Sequence, residues 1–292
     1  MNLIRVKRVH CLSLLACEGT RERGDLGEIR SRGTVSTNQI RLVEIFSSIQ
    51  GEGVLVGRRQ IFVRTYGCNL RCTYCDSPET LKESGIPRQC RVETVPGSWT
   101  FEGRESLTSQ DDLNAIIRGY LTEPHHSLSI TGGEPLLHAR FLREWLPDVK
   151  AMGLKTFLET NGFLSRHLEG ILDSLDYISM DWKAPTATGI SPEATLEAHR
   201  EFLMTATRRG NTEVYVKMVV TPSTNEAELL TAVETIRAVK DSMTLILQPV
   251  TPFGTETKGV TPQKMIRFHA LASHLLQDVR VIPQTHKMMQ LL

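Results

Sequence analysis

The sequence predicts an α/β protein built as a partial, open (βα)6-type barrel, with an additional N-terminal strand and a C-terminal strand. Three observations predict it. From residue 41 onward, short β-branched and aromatic runs alternate with longer amphipathic stretches, the pattern of parallel βαβ units. Six such strand runs, from 61–66 to 244–250, are too few for a closed eight-stranded barrel. Polar and glycine-rich residues recur directly after these runs, at the strand ends where parallel sheets bind ligands.

The elements follow in order. RLVEIF (41–46) reads as the additional first strand, before the turn-rich Gln50-Gly51-Glu52-Gly53. IFVRTY (61–66) reads as the first barrel strand. A helix is expected over 109–121, with Ser109 as its cap and Asp111 and Asp112 in the first turn. Strands at 127–131, 156–160, 176–181, 213–220 and 244–250 then alternate with helices. Those helices are expected at 139–151, 165–174, 192–208, 224–239 and 262–276, with Thr224 near the start of the fourth. VRVI (279–282) closes the series as the C-terminal strand. Residues 78–107 carry weak periodicity and many Gly, Pro and Arg residues, and read as one long loop.

The chain has 292 residues, 40% of them hydrophobic, enough for one large domain with a sizeable core. The expected organisation is a poorly ordered extension over 1–38 and a catalytic domain over 39–292. The extension carries seven Lys/Arg against four Asp/Glu. Its opening, MNLIRVKR followed by VHCLSLLAC, has the outline of an export signal, but the apolar stretch is short and is broken by His10 and Ser13. Net charge is +1, without the basic excess that holds nucleic acid. No apolar run reaches the roughly 18 residues of a membrane span. A cytoplasmic protein that binds neither nucleic acid nor membrane is therefore expected.

Six cysteines stand at 11, 17, 68, 72, 75 and 90. Cys68, Cys72 and Cys75 fall within GCNLRCTYC, a crowding that suits metal binding in a reducing compartment better than disulfides. A loop this short can aim three thiolates at one centre. Structural zinc normally takes four ligands, and so does a fully protein-ligated four-iron cluster. Three ligands leave one iron open for a cofactor. Cys90 is the alternative fourth ligand, fifteen residues on. Gly132-Gly133-Glu134-Pro135 follows the next strand. It reads as a tight turn opening a helix, or as a close backbone approach to a ligand, with Glu134 accepting hydrogen bonds from an ammonium group.

C-x3-C-x2-C on a loop after one strand, with GGEP after the next, resembles the radical S-adenosylmethionine (SAM) superfamily. More closely, the chain resembles the 7-carboxy-7-deazaguanine synthase family. The matching stretches are EIFSSIQGEG (44–53), FVRTYGCNLRCTYCDS (62–77), SITGGEPLL (129–137), LETNG (158–162), SMDWKAP (179–185), LQPVTP (247–252) and VIPQTHK (281–287). They span nearly the whole chain after residue 40. The fold implied is the partial, open radical SAM barrel.

The resemblance implies an activity and a site. Cys68, Cys72 and Cys75 would hold a 4Fe-4S cluster whose open iron is chelated by SAM. Reductive cleavage of SAM would give a 5′-deoxyadenosyl radical that takes hydrogen from C6 of 6-carboxy-5,6,7,8-tetrahydropterin. Rearrangement and loss of ammonia would yield 7-carboxy-7-deazaguanine, a precursor in queuosine biosynthesis. SAM would lie along Tyr74, Asp76, Gly133, Glu134, Ser179, Asp181, Lys183 and Gln248. The pterin would meet Ile49, Gln50, Gly51, Arg64, Thr131, Gln284 and His286. From its residue type alone, Arg64 reads equally as a carboxylate fork or as a snorkelling strand residue. Ser77 stands at the family's magnesium position, usually threonine, and keeps the hydroxyl ligand for Mg2+. The family also implies a homodimer and a flavodoxin-type reductant. Its chain end contacts substrate, a role that would fall to Leu292.

Two further readings stay open. A glycyl-radical activating enzyme shares a similar cysteine loop, but IQGEG and PQTHK suit a small-molecule pocket instead. A non-catalytic iron–sulfur or zinc module would not need polar residues after so many strands. His125 and His126 are expected in solvent, and His138 and His269 in packing or at the surface. Trp182 reads equally as a core residue or a neighbour of SAM.

Overall fold

A computed structural model gives the structure of the chain and describes residues 38–81 and 87–291. The expected N-terminal extension, apart from Asn38, lies outside the described residues, as do Cys11, Cys17 and Leu292. In chain order, the first strands are β1 (Gln39–Ile49), β2 (Arg59–Thr65), β3 (Gln89–Glu93), β4 (Phe101–Glu105) and β5 (Leu107–Ser109). Alternation then begins with α1 (Gln110–Tyr120), β6 (Ser127–Gly132), α2 (Ala139–Ala151) and β7 (Lys155–Thr160). It continues through α3 (Ser165–Glu169), β8 (Tyr177–Trp182), α4 (Pro185–Thr188), α5 (Pro192–Ala206) and β9 (Glu213–Val220). The last elements are α6 (Glu226–Lys240), β10 (Leu245–Pro249), α7 (Pro262–Ser273), β11 (Val279–Val281) and α8 (Thr285–Met288).

The described strands form one sheet in the order β11-β10-β9-β8-β7-β6-β2-β1-β3-β4, with β5 paired to β1. Neighbours from β2 through β11 run parallel, as βαβ connections require. β1 runs antiparallel to β2. β11 and β4 end the path without meeting, so the barrel is open, with the expected additional strand on one side and C-terminal strand on the other. Helices bury apolar faces against the sheet: Trp145 and Leu146 of α2, Phe202 and Leu203 of α5, and Leu229 and Val233 of α6 are fully buried. No helix of the described residues is long and apolar enough to cross a membrane.

Local chemistry starts the helices. Ser109 accepts the Asp112 N–H at the head of α1, as expected. α5 and α7 begin with Pro192 and Pro262 behind Ser191 and Thr261 caps. One helical expectation shifts, and another holds with its cap now identified. The 165–174 segment breaks at Gly170 into α3 and a single 3-10 turn over Leu172–Ser174. Thr224 lies near the start of α6, as expected, and Asn225 caps the helix through a reciprocal box with Glu228. Thr224 accepts from the Thr221 N–H at 2.9 Å.

The expected loop over 78–107 is largely a β-hairpin. Cys90 and Val92 turn into the core while Gln89 and Arg91 face outward, the period of two that a strand imposes. Polar residues dilute the apolar signal there. Arg91 lies 4.3 Å over the Phe101 ring across the hairpin, and Glu93 accepts the Trp99 N–H at 2.8 Å. The hairpin extends the sheet beyond β1 and packs Cys90 into the hydrophobic core. His125 is half-buried and lies 2.8 Å from the Ser47 hydroxyl, so its expected solvation is only partial. His138 contacts the Tyr66 carbonyl at 2.7 Å and His269 the Val279 carbonyl at 3.1 Å, in the packing roles expected.

Candidate active site at the strand ends

Alternate side chains of each strand point to one face. On the inner face, Arg64 of β2, Thr131 of β6, Glu159 of β7, Asp181 of β8, Lys217 of β9 and Gln248 of β10 line one cavity of about 510 Å3. Elsewhere, Phe157, Tyr215 and Ile246 pack with Leu55 as an apolar plug. These polar groups thus share inward-facing positions toward the C-terminal ends of neighbouring parallel strands.

The cysteine loop follows β2. Cys68, Cys72 and Cys75 are half-buried free thiols, and all three line the cavity. Backbone contacts shape the loop: Gly67 N–H donates to the Thr80 carbonyl at 3.0 Å, and Glu134 N–H donates to the Gly67 carbonyl at 2.7 Å. Gly133 permits that approach, because a Cβ there would run into the Gly67 carbonyl and the Cys68 side chain. Burial pushes all three thiols up, Cys68 to about 11. Their thiolates therefore call for a cationic centre. Among the described residues, no three His, Cys, Asp or Glu side chains converge as a single-ion site.

Charged side chains line the same cavity. Lys183 pairs with Asp181 at 2.8 Å, Lys217 pairs with Asp181 at 3.1 Å, and Lys217 also pairs with Glu52. Burial alone would lower Lys217, but Asp181, Glu52 and Glu159 hold it well above the usual lysine value. Burial would raise Asp181, and the two lysines reverse this and hold it low. The C-terminal segment also borders the cavity. Gln284 donates to Glu52 at 2.7 Å and to Asp76 at 3.0 Å, while Thr285 N–H donates to the Gly51 carbonyl at 2.9 Å. His286 packs so closely over Gly51 that no Cβ would fit there.

Arg64 lines the cavity as well. Its Nε donates to Glu44 at 2.8 Å, and its guanidinium lies 3.2 Å from the Ser77 hydroxyl. Gln50 donates to Gln60 and to Glu159, each at 2.9 Å, and accepts the Glu52 N–H at 3.0 Å. Its side chain is therefore occupied in positioning Glu159. Thr131 donates to the same carboxylate at 3.1 Å.

Of the residues expected in the site, the structure gathers Ile49, Gln50, Gly51, Arg64, Cys68, Cys72, Tyr74, Cys75, Asp76, Ser77, Thr131, Gly133, Asp181, Lys183, Gln248, Gln284 and His286 around this cavity. Glu134 and Ser179 do not line it. Glu134 is fully buried and turned toward the end of β7, accepting from Thr160 Oγ1 at 2.8 Å and Asn161 N–H at 2.7 Å. Ser179 shares a face with Asp181 but lies two residues deeper, bonded to buried Tyr215. Glu159, Asn161 and Lys217, among the polar residues expected at the strand ends, also line the cavity, as do Glu44 and Glu52, all without a specific role assigned from sequence. Lys217 had a legible signal, a lone charge inside EVYVKMVV. Glu44 had none beyond its place in a strand.

A model of the Radical SAM superfamily matches residues 62–236. The 7-carboxy-7-deazaguanine synthase of Geobacter sulfurreducens is 41% identical over 252 residues, which cover 85% of this chain and 96% of the relative. The chain belongs to the 7-carboxy-7-deazaguanine synthase family. A second 7-carboxy-7-deazaguanine synthase, from Methanothermobacter thermautotrophicus, is 36% identical over 84% of this chain and 95% of its own. The crystal structure of QueE from Escherichia coli shares the fold, with a TM-score of 0.52 over 84% of this chain and 94% of that one, at 19% identity.

Members of the 7-carboxy-7-deazaguanine synthase family are radical SAM enzymes, and the superfamily brings a 4Fe-4S cluster and SAM. The residues present fit both. Three thiols share one cavity with no fourth cysteine beside them among the described residues. The Tyr74 hydroxyl and Gln248 Oε1 are buried there without hydrogen-bond partners, and a polar ligand would satisfy them. The magnesium position fits less well. Ser77 and Asp76 offer oxygen donors, but the Arg64 guanidinium already occupies the Ser77 hydroxyl.

Proposed function

We propose that this chain converts 6-carboxy-5,6,7,8-tetrahydropterin into 7-carboxy-7-deazaguanine and ammonia. One observation carries the reading. A single cavity is lined by the three thiols, the Arg64 guanidinium, the buried Glu159 carboxylate and Gln284 and His286 of the docked C-terminal segment. The net reaction is redox-neutral, with one ring nitrogen leaving as ammonia. The cluster and SAM, when bound, supply a carbon radical that can take a hydrogen atom.

The protein supplies everything else. Cys68, Cys72 and Cys75 hold the cluster. Tyr74, Asp76, Gly133, Asp181, Lys183 and Gln248 bound the SAM side of the cavity. Glu134 and Ser179 support that side from behind, through the end of β7 and through Tyr215. Arg64 keeps its Nε on Glu44 and turns its remaining donors to the pterin carboxylate, a planar match that lysine cannot make. Thr131, Glu159 and Gln50 set the hydrogen-bonding edge for the pterin ring, with Ile49 and Gly51 beside it. Gln284 and His286 close the cavity and limit water. Magnesium at Ser77 belongs to this reading only if Arg64 leaves that hydroxyl when the substrate carboxylate arrives.

The same reading includes a homodimer, a flavodoxin-type reductant and a reducing, cytoplasmic setting for the thiols. Val281, Met288 and Met289 near the C-terminus are exposed apolar residues, a surface that self-association would cover. Sedimentation of the reconstituted chain tests the dimer.

The activity is tested with anaerobically reconstituted protein, a chemical reductant, SAM and 6-carboxytetrahydropterin. Ammonia and 7-carboxy-7-deazaguanine should form in equal amounts. SAM cleavage without pterin consumption would overturn the substrate assignment. Zinc without labile sulfide would overturn the radical chemistry.

A further inference from the structure

Asn161, at the end of β7, is 5% exposed and lines the cavity. Each of its polar groups has a defined partner. Its N–H donates to Glu134 Oε2 at 2.7 Å. Its carbonyl accepts from His199 Nε2 at 3.1 Å. Its side-chain Oδ1 accepts the Phe163 N–H at 3.1 Å. That last bond settles the orientation of the amide, since only the oxygen can accept. The NH2 group is therefore forced toward the cysteine loop. One of its hydrogens goes to Asn69 Oδ1, with Nδ2 at 2.8 Å. The same nitrogen stands 3.9 Å from Cys68 Sγ.

The supports are themselves rigid. Glu134 and His199 are fully buried. Glu134 also accepts from Thr160 Oγ1 and the Leu136 N–H. His199 sits between Phe163 and Trp182, with ring centroids 4.8 and 4.6 Å away. Gly162 then turns the chain with φ +75, so the backbone leaves β7 without displacing the amide.

We propose that Asn161 is a positioning residue for the iron–sulfur centre, whose amide donates to the Cys68 sulfur and raises the reduction potential of the cluster. This rests on the reading of Cys68 as a cluster ligand and is independent of the pterin. Reduction adds negative charge to the cluster, so an N–H aimed at a ligand sulfur stabilises the reduced form more than the oxidised form. The Leu70 N–H reaches the same sulfur at 3.4 Å, so Cys68 receives both a backbone and a side-chain donor.

The test compares the full chain with Asn161→Ala and Asn161→Asp, all reconstituted anaerobically. Iron and sulfide content and an EPR-monitored redox titration are the readouts. The expected result is a shift to more negative midpoint potential in both variants, larger for Asn161→Asp because it adds a negative charge. A folded Asn161→Ala chain that fails to assemble the cluster also supports the positioning role. Full cluster content at the parent potential in both variants overturns it. If circular dichroism shows that Asn161→Ala is unfolded, Asn161→Asp decides. If neither folds, Asn161 serves folding alone and the proposal falls. A parent chain that assembles no cluster removes the ligand reading itself, whereas failure of pterin turnover leaves this result standing.

Discussion

Gln284 donates to Asp76 Oδ2 at 3.0 Å, joining residues 208 positions apart in the chain. The same amide holds Glu52. One side chain thus ties the cysteine loop, the QGEG turn and the C-terminal segment together. Gln284→Ala should raise KM for the pterin about tenfold, the scale of one hydrogen bond to a charged group. Iron content should stay at the parent value. Steady-state kinetics with iron and sulfide assays check both halves.

Arg64 is half-buried beside Glu44 and faces the cavity. Arg64→Ala should lower kcat/KM for the pterin about 100-fold by leaving a carboxylate without its partner. Arg64→Lys should recover little, because a point charge cannot pair with Glu44 and the substrate in the same plane. Cluster content should not change. Loss of cluster in Arg64→Ala would sink the assigned role.

Lys217 and Asp181 are register partners on neighbouring strands and form an ion pair at 3.1 Å. Both side chains are largely buried, and Glu52 and Glu159 lie close by. Lys217→Met should therefore destabilise the fold by about 3 kcal/mol, since it leaves buried carboxylates uncompensated. Urea unfolding of the cluster-free chain at pH 7 measures this. The double variant Lys217→Met with Asp181→Asn should recover part of the loss.

Glu134 and His199 act on stability in opposite directions as pH changes. Burial pushes Glu134 up to about 7 from 4.5. Between those values the folded state holds the extra proton, so stability falls as pH rises. Burial pushes His199 down to about 3 from 6.5. In that window the unfolded state holds the extra proton, so stability falls as pH falls. The two slopes offset each other between 4.5 and 6.5. Glu134→Gln should expose the histidine slope, a stability that rises with pH by up to about 1.4 kcal/mol per unit. His199→Phe should expose the opposite slope. Chemical denaturation of the cluster-free chain across this range reads both.

The order of strands and helices was legible because hydrophobic period and βαβ alternation are local properties. The hairpin at 89–105 was not. Its outward residues are polar, and its partner, β1, lies some 45 residues back, as in the pairing of Glu44 with Arg91. The cysteine triplet was legible for the same local reason, three thiols within one short loop.

The sequence by itself determined the fold class, the cysteine loop and, through its motifs, the family. Tertiary structure alone decided which polar residues face the cavity. Glu134 and Ser179 were expected at its wall and stand behind it, because the chain turns under at one and strand alternation places the other one layer deeper. Glu159 and Lys217 were legible as polar residues at the strand ends, but their burial and their pairing with Glu52 and Asp181 arise only when strands distant in sequence are brought side by side.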